Sequence, residues 1–268
     1  LPGLPRIKLP SFSLPFSGQE TIVIEGDKKS LEREKKKEEV VTYFNQKTKD
    51  LTGVYGLYVI DLNTGFAYGV NESDQFEPAS LNKLPVMVSA FMEEEAGNLD
   101  LETKYKLKNE DKVAGAGSLS SQAQGYEITY RNLIRLMGKQ SDNTAFNIVR
   151  KTLGEEKINI TLEKIGMENT SLAENQTAPK DIGRFFEELW NGNLISDEHK
   201  EELLDYLTDT LYEDWIVAGV PDEVRVAHKF GRETNVVNDA AIVFSEKPFI
   251  LVLMSKGVIE READTIFP

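Results

Sequence analysis

The 268-residue chain is 40% hydrophobic and 28% charged, ordinary proportions for a folded globular protein of one large domain or two small ones. Its net charge of −14 argues against a nucleic-acid partner, since neutralising phosphates needs a basic surface. With no cysteine there are no disulfides, thiolate nucleophiles or Cys-based metal sites, and His199 and His228 stand in no ligand spacing, so neither metal nor cofactor is expected. No run of about 18 apolar residues is long enough to span a bilayer.

Residues 1–29 read as an arm or linker. Pro2, Pro5, Pro10 and Pro15 recur at intervals that forbid a helix, while Ile7, Leu9, Phe12 and Phe16 could pack it onto a domain covering 30–268. The chain starts at Leu1 rather than Met, and a signal peptide or membrane anchor is expected upstream. From Ser30 to Lys49 a charged helix is predicted, with Leu31, Val40, Val41 and Phe44 as its apolar stripe. Two strands follow, Val54–Leu62 and Phe66–Val70, around an Asn63-Thr64-Gly65 turn. The middle of the chain reads as helical over 80–95, 129–138, 144–153, 155–165, 179–190 and 197–211. Strands return at Val224–Phe230, Val236–Ser245 and Phe249–Lys256, the last two joined by a Ser245–Pro248 turn. Strands at both ends with helices between them predict an α+β fold: one antiparallel sheet built from both termini, beside an inserted helical lobe.

Three short patterns carry chemistry. In Pro78-Ala79-Ser80-Leu81-Asn82-Lys83, Ser80 and Lys83 share one face at the start of an apolar helix. A hydroxyl becomes nucleophilic when a base takes its proton, and a lysine amine can serve if burial lowers its pKa. The free N–H groups of the helix start can also hold an oxyanion. Ser141-Asp142-Asn143 lies between two helices, offering Ser141 as a proton relay and the Asn143 amide to orient substrate. His228-Lys229-Phe230-Gly231 lies on a predicted strand, where Gly231 permits close backbone approach. Each pattern alone has a plainer explanation: an N-cap beside a solvated lysine, a helix cap, and an edge-strand lysine.

Together, and in this order, the three match the S-x-x-K, S-D-N and K-T-G set of class A β-lactamases and penicillin-binding proteins. From about residue 30 onward the chain resembles that superfamily. Gly115-Ala116-Gly117-Ser118-Leu119, Thr177-Ala178-Pro179 and Asn238-Asp239 add to the likeness. The resemblance implies a serine hydrolase in which Ser80 forms an acyl-enzyme, Lys83 acts as base and Ser141 protonates the leaving nitrogen. Lys229 would hold Ser141 and attract a substrate carboxylate, and the N–H groups of Ser80 and Arg232 would form the oxyanion hole. It also implies an extracytoplasmic protein, monomeric, acting on a small molecule or a peptidoglycan-type substrate.

The chain departs from that pattern twice. The family's long loop, whose glutamate activates the deacylating water, is shortened between Ile165 and Pro179, where no Glu-x-x-Leu-Asn pattern occurs. Glu174 is the obvious acid of the remnant, either an exposed loop residue or a relocated base. Phe230 stands where the family has Thr or Ser to bind the substrate carboxylate, leaving Thr234 or Arg232 as possible substitutes. The expected function is therefore acyl transfer on β-lactam or D-alanyl amides with slow deacylation. The alternative is a cell-envelope binding module that keeps the fold without the catalysis.

Overall fold

The computed structural model describes residues 25–268. Helix α1 (Glu25–Thr48) leads into strands β1 (Val54–Asp61) and β2 (Phe66–Val70). A 3₁₀ turn, Ala79–Asn82, runs directly into α2 (Lys83–Glu95). Strands β3 (Lys104–Lys106) and β4 (Glu127–Thr129) pair as a small separate ribbon. Helices α3 (Tyr130–Lys139), α4 (Asn143–Leu153), α5 (Glu155–Ile165), α6 (Pro179–Trp190) and α7 (Asp197–Tyr206) form the lobe. Strands β5 (Val226–Glu233), β6 (Val236–Val243) and β7 (Phe249–Lys256) precede a short α8 (Glu260–Ala263).

The antiparallel sheet has the order β2-β1-β7-β6-β5, so the chain's last strand pairs with its first and locks both ends into one layer. Its two faces are both buried, each in its own core. Ile60, Ala240, Ile242, Ile250, Val252 and Met254 face the helical lobe. Tyr55, Leu57, Val237, Ala241, Val243 and Leu253 face the other way, under Val40 and Phe44 of α1 and the C-terminal segment. Double coverage explains why β6 is buried along its whole length and reads as an apolar run. Its two polar residues are hydrogen-bonded, as buried polar groups must be. Asn238 donates to the Glu77 carbonyl (2.8 Å) and accepts from the Ser255 amide (2.9 Å), which ties the sheet to the segment entering the 3₁₀ turn.

Several sequence expectations need correction. Helix α1 begins at Glu25, and Leu31 is 65% exposed rather than part of a buried stripe, because only the C-terminal half of the helix lies on the sheet. The helix predicted over 197–211 stops at Tyr206; Asp209 takes a positive φ of 46°, which a continuing right-handed helix cannot hold. The β3–β4 ribbon was not foreseen, since three-residue strands such as Lys104-Tyr105-Lys106 show no usable alternation. The proposed packing of Ile7, Leu9, Phe12 and Phe16 lies outside the described residues.

A buried ionic knot fixes the segment after α7 against β5. The His228 amide donates to the Leu207 carbonyl (2.7 Å), and its Nδ1 lies 2.9 Å from Asp239 Oδ1. His228 Nε2 lies 3.1 Å from the Thr210 hydroxyl and 3.5 Å from Glu213, while Asp239 Oδ2 accepts the Ile216 amide (3.1 Å). Burial disfavours a charged imidazole, but Asp239 and Glu213 outweigh it and raise His228 to about 9. A folded-state pKa above the unfolded value contributes stability below about pH 6.5, lost as pH rises through the folded value. The protein should lose on the order of 1–3 kcal/mol of unfolding free energy between about pH 6.5 and 9. In urea titrations, His228→Gln should flatten that slope; an unchanged slope in the variant would contradict a charged His228.

Candidate active site

The segment that presents Ser80 is held in an unfavourable backbone conformation. Ala79 has a φ of +47°, in the left-handed region that non-glycine residues avoid. The surroundings hold it there: the Leu81 amide donates to the Pro78 carbonyl (3.0 Å), and Phe76 exchanges two backbone hydrogen bonds with Thr177 (2.8 and 2.9 Å). Ser80 then sits half-buried at the entrance to α2, whose residues 83–91 are all buried. One helical turn on, the Lys83 Nζ lies 2.8 Å from Ser80 Oγ and 2.9 Å from Asn143 Oδ1.

Ser141 has a second strained backbone, with φ at +54° and no exposed surface. The following Asp142 caps α4 by accepting the Ala145 amide (2.8 Å) and also accepts the Leu119 amide (2.8 Å). This clamp works because Gly117 is opposite; a Cβ there, at φ +95°, would lie 2.1 Å from Asp142 Oδ2. Asn143 donates its Nδ2 to the Ala114 carbonyl (3.1 Å), so its amide is shared between the 113–117 loop and Lys83.

Across the cleft, Lys229 on β5 donates to Ser141 Oγ (3.0 Å) and to the Phe230 carbonyl (2.9 Å). Burial, reinforced by the neighbouring Lys83 charge and only partly opposed by Asp239, pushes the Lys229 amine well below the usual lysine range. Burial also lowers Lys83, to about 8, against the pull of Asp142 and Glu233. Two amines that ordinarily stay protonated are thus both driven toward their neutral, basic forms.

The edge position of β5 supplies a further element. The His228 amide points away from β6, toward Leu207, and strand alternation aims the Phe230 and Arg232 amides the same way. Gly231 crosses the 3₁₀ turn so closely that a Cβ would lie 2.7 Å from the Ser80 amide nitrogen. Only glycine permits so close an approach of β5, just before Arg232, to the Ser80 amide.

Ser80, Lys83, Ser141, Asn143, Lys229 and Gly231 are thus brought together between lobe and sheet. Of the other two sequence candidates, Arg232 lines the cleft and Thr234 does not. Thr234 is exposed in the β5–β6 turn. Arg232 lines the cleft beside Trp215 while its guanidinium pairs with Glu260 (2.8 Å) and with both oxygens of Asp264 (3.2 Å each). Glu174 is exposed at the tip of the shortened segment, which is folded around Asp181 through Asn169 and Thr170. Sequence reasoning missed the residues that complete the cleft of about 460 Å³: Tyr212, Asp214 and Trp215, beside Ser80, Ser141 and Phe230. They lie just beyond α7, in a stretch with neither periodicity nor motif, and only the aromatic pair Tyr212 and Trp215 could have drawn attention to it.

Comparison with known proteins agrees with this architecture. A β-lactamase from Sphaerobacter thermophilus is 24% identical, with a TM-score of 0.77 over 80% of this chain and 87% of that one. PBP-A is also 24% identical, with a TM-score of 0.75 over 83% of this chain and 92% of its own. An ancestral class A β-lactamase is 21% identical, with a TM-score of 0.78 over 84% and 95%. The sequence model of the β-lactamase enzyme family matches residues 35–267, nearly all of the described chain. The chain belongs to the β-lactamase enzyme family.

Proposed function

We propose that this protein is a serine acyl-transfer hydrolase that opens β-lactam or D-alanyl peptidoglycan-type amides outside the cytoplasm, and that its acyl-enzyme is long-lived. The observation that carries the reading is the Lys83 amine, 2.8 Å from Ser80 Oγ and lowered to about 8 by burial. A base with a pKa near the working pH takes a hydroxyl proton most effectively.

Ser80 Oγ passes its proton to Lys83 and bonds to the substrate carbonyl carbon. The carbonyl oxygen becomes an oxyanion, held by the Ser80 and Arg232 amides. The C–N bond then breaks as Ser141 gives its proton to the leaving nitrogen and recovers one through the lysine pair. A point mutant of PBP-A forms an acyl-enzyme complex with penicillin G, which supports the same chemistry in this chain. Release of the acyl group needs a water and a second base. Of the acids between Ile165 and Pro179, Glu174 is exposed and Glu168 faces a different hollow beside Arg184. Neither lines the cleft that holds Ser80.

Intact-protein mass spectrometry after incubation with a fluorescent penicillin tests the reading. A covalent adduct that disappears in Ser80→Ala is expected; no adduct would favour the non-catalytic binding module. Lys83→Ala should slow acylation by roughly 10²–10⁴-fold without lowering the melting temperature. In the parent, acylation should rise with pH through about 8, as Lys83 loses its proton, and then level off. Parental rates in the variant would assign the base elsewhere.

With a chromogenic cephalosporin, a stoichiometric burst followed by slow turnover is expected. Phe230→Thr should speed the burst without shortening adduct lifetime. Rapid sustained turnover without a burst would mean that another group, such as Asp214, activates water.

A further inference from the structure

The chemistry above concerns the scissile bond; the cleft beyond it indicates what the leaving half carries. Ser141, the proposed donor to the leaving atom, shares the Lys229 amine with Phe230: that nitrogen is 3.0 Å from Ser141 Oγ and 4.2 Å from the Phe230 ring centre. The part of the substrate past the leaving atom therefore meets the Phe230 ring. Tyr212 packs on that ring at a centroid distance of 4.0 Å, and Trp215 meets it edge-on at 6.0 Å. The Trp215 indole N–H is taken up by Asp264 (3.1 Å), which fixes the ring and leaves its carbon surface for the cleft.

Arg232 is the one cationic side chain of this lining, and it is already paired. The Arg232 guanidinium is matched by two carboxylates outside the lining, Glu260 and Asp264, and Asp214 is the carboxylate of the lining itself. Thr234 is exposed in its turn and is not part of the lining, and Phe230 has no hydroxyl. A substrate carboxylate would be desolvated against aromatic rings and beside fixed negative charge, an expensive placement. The depressed Lys229 amine offers it little countercharge.

We propose that the leaving half of the natural substrate is neutral and apolar, without a free carboxylate, and that Tyr212, Trp215 and Phe230 select it. This rests on the acyl-transfer reading and narrows its substrate class to amides or esters whose leaving side is capped or internal. β-Lactams, which carry a carboxylate, are then poor mimics of that substrate.

Two thioesters with one acyl group, N-benzoyl-D-alanyl, test the proposal. One has mercaptoacetate as leaving group and the other its neutral benzylamide. Ser80 Oγ attacks the carbonyl, the C–S bond breaks, and the released thiol is read with a disulfide dye. The chain has no cysteine, so it adds no thiol background. The benzylamide should be favoured in kcat/KM by about ten-fold or more, and Phe230→Thr should shrink or reverse the ratio. Equal rates, or preference for mercaptoacetate with Ser80 acylated, would overturn this proposal and leave the acyl-transfer reading intact. No thiol release above the Ser80→Ala control, and no Ser80 adduct with either ester, would overturn both.

Discussion

Two lysine amines are buried side by side in one cleft, and both cannot be protonated cheaply at once. A buried ammonium already suffers from lost hydration, and a second positive charge nearby raises the cost again. The asymmetry falls on Lys229, which is fully enclosed and feels the Lys83 charge, whereas Lys83 keeps some help from Asp142 and Glu233. A neutral amine can accept a proton, so the arrangement provides a base without histidine. In the proposed chemistry Ser80 and Ser141 each depend on one member of this pair.

The fold sustains that crowding by over-determining the backbone around it. Ala79 and Ser141 both sit at positive φ, conformations that cost on the order of 1–3 kcal/mol each. Each is held by contacts remote in sequence: Asn238 of β6 grips the Glu77 carbonyl, and Asp142 binds the Leu119 amide. The His228–Asp239 pair does the same for the segment that carries Tyr212 and Trp215. The aromatic wall and the lysine pair are thus braced by β5 and β6, so cleft shape and amine basicity are linked through the sheet.

Much of this was legible in the sequence. The sheet strands and most lobe helices have strong periodicity and clear turns, and β2, α5, α6 and β7 fall on their predicted bounds. Ser80, Lys83, Ser141, Asn143 and Lys229 stood out because their residue types recur in a known order. What escaped depends on contacts that no local pattern encodes. Arg232 lines the cleft, but its partners Glu260 and Asp264 come from a four-residue helix and the residue that caps it, with no apolar repeat to announce them. Tyr212 and Trp215 reach the cleft only because α7 ends early at Tyr206. His228 drew notice only as a residue without ligand spacing, while its contact with Asp239 runs diagonally across β5 and β6, where the register sets Asp239 opposite Phe230.

The charge state of the lysine pair is the most direct point of attack. Lysine side chains labelled with ¹³C and ¹⁵N can be followed by NMR across pH, with Lys83→Ala and Lys229→Ala assigning the signals. The account predicts that Lys83 titrates near 8 and that Lys229 remains neutral where Lys83 is still charged. Both amines titrating together near the ordinary lysine value, about 10.4, would contradict it.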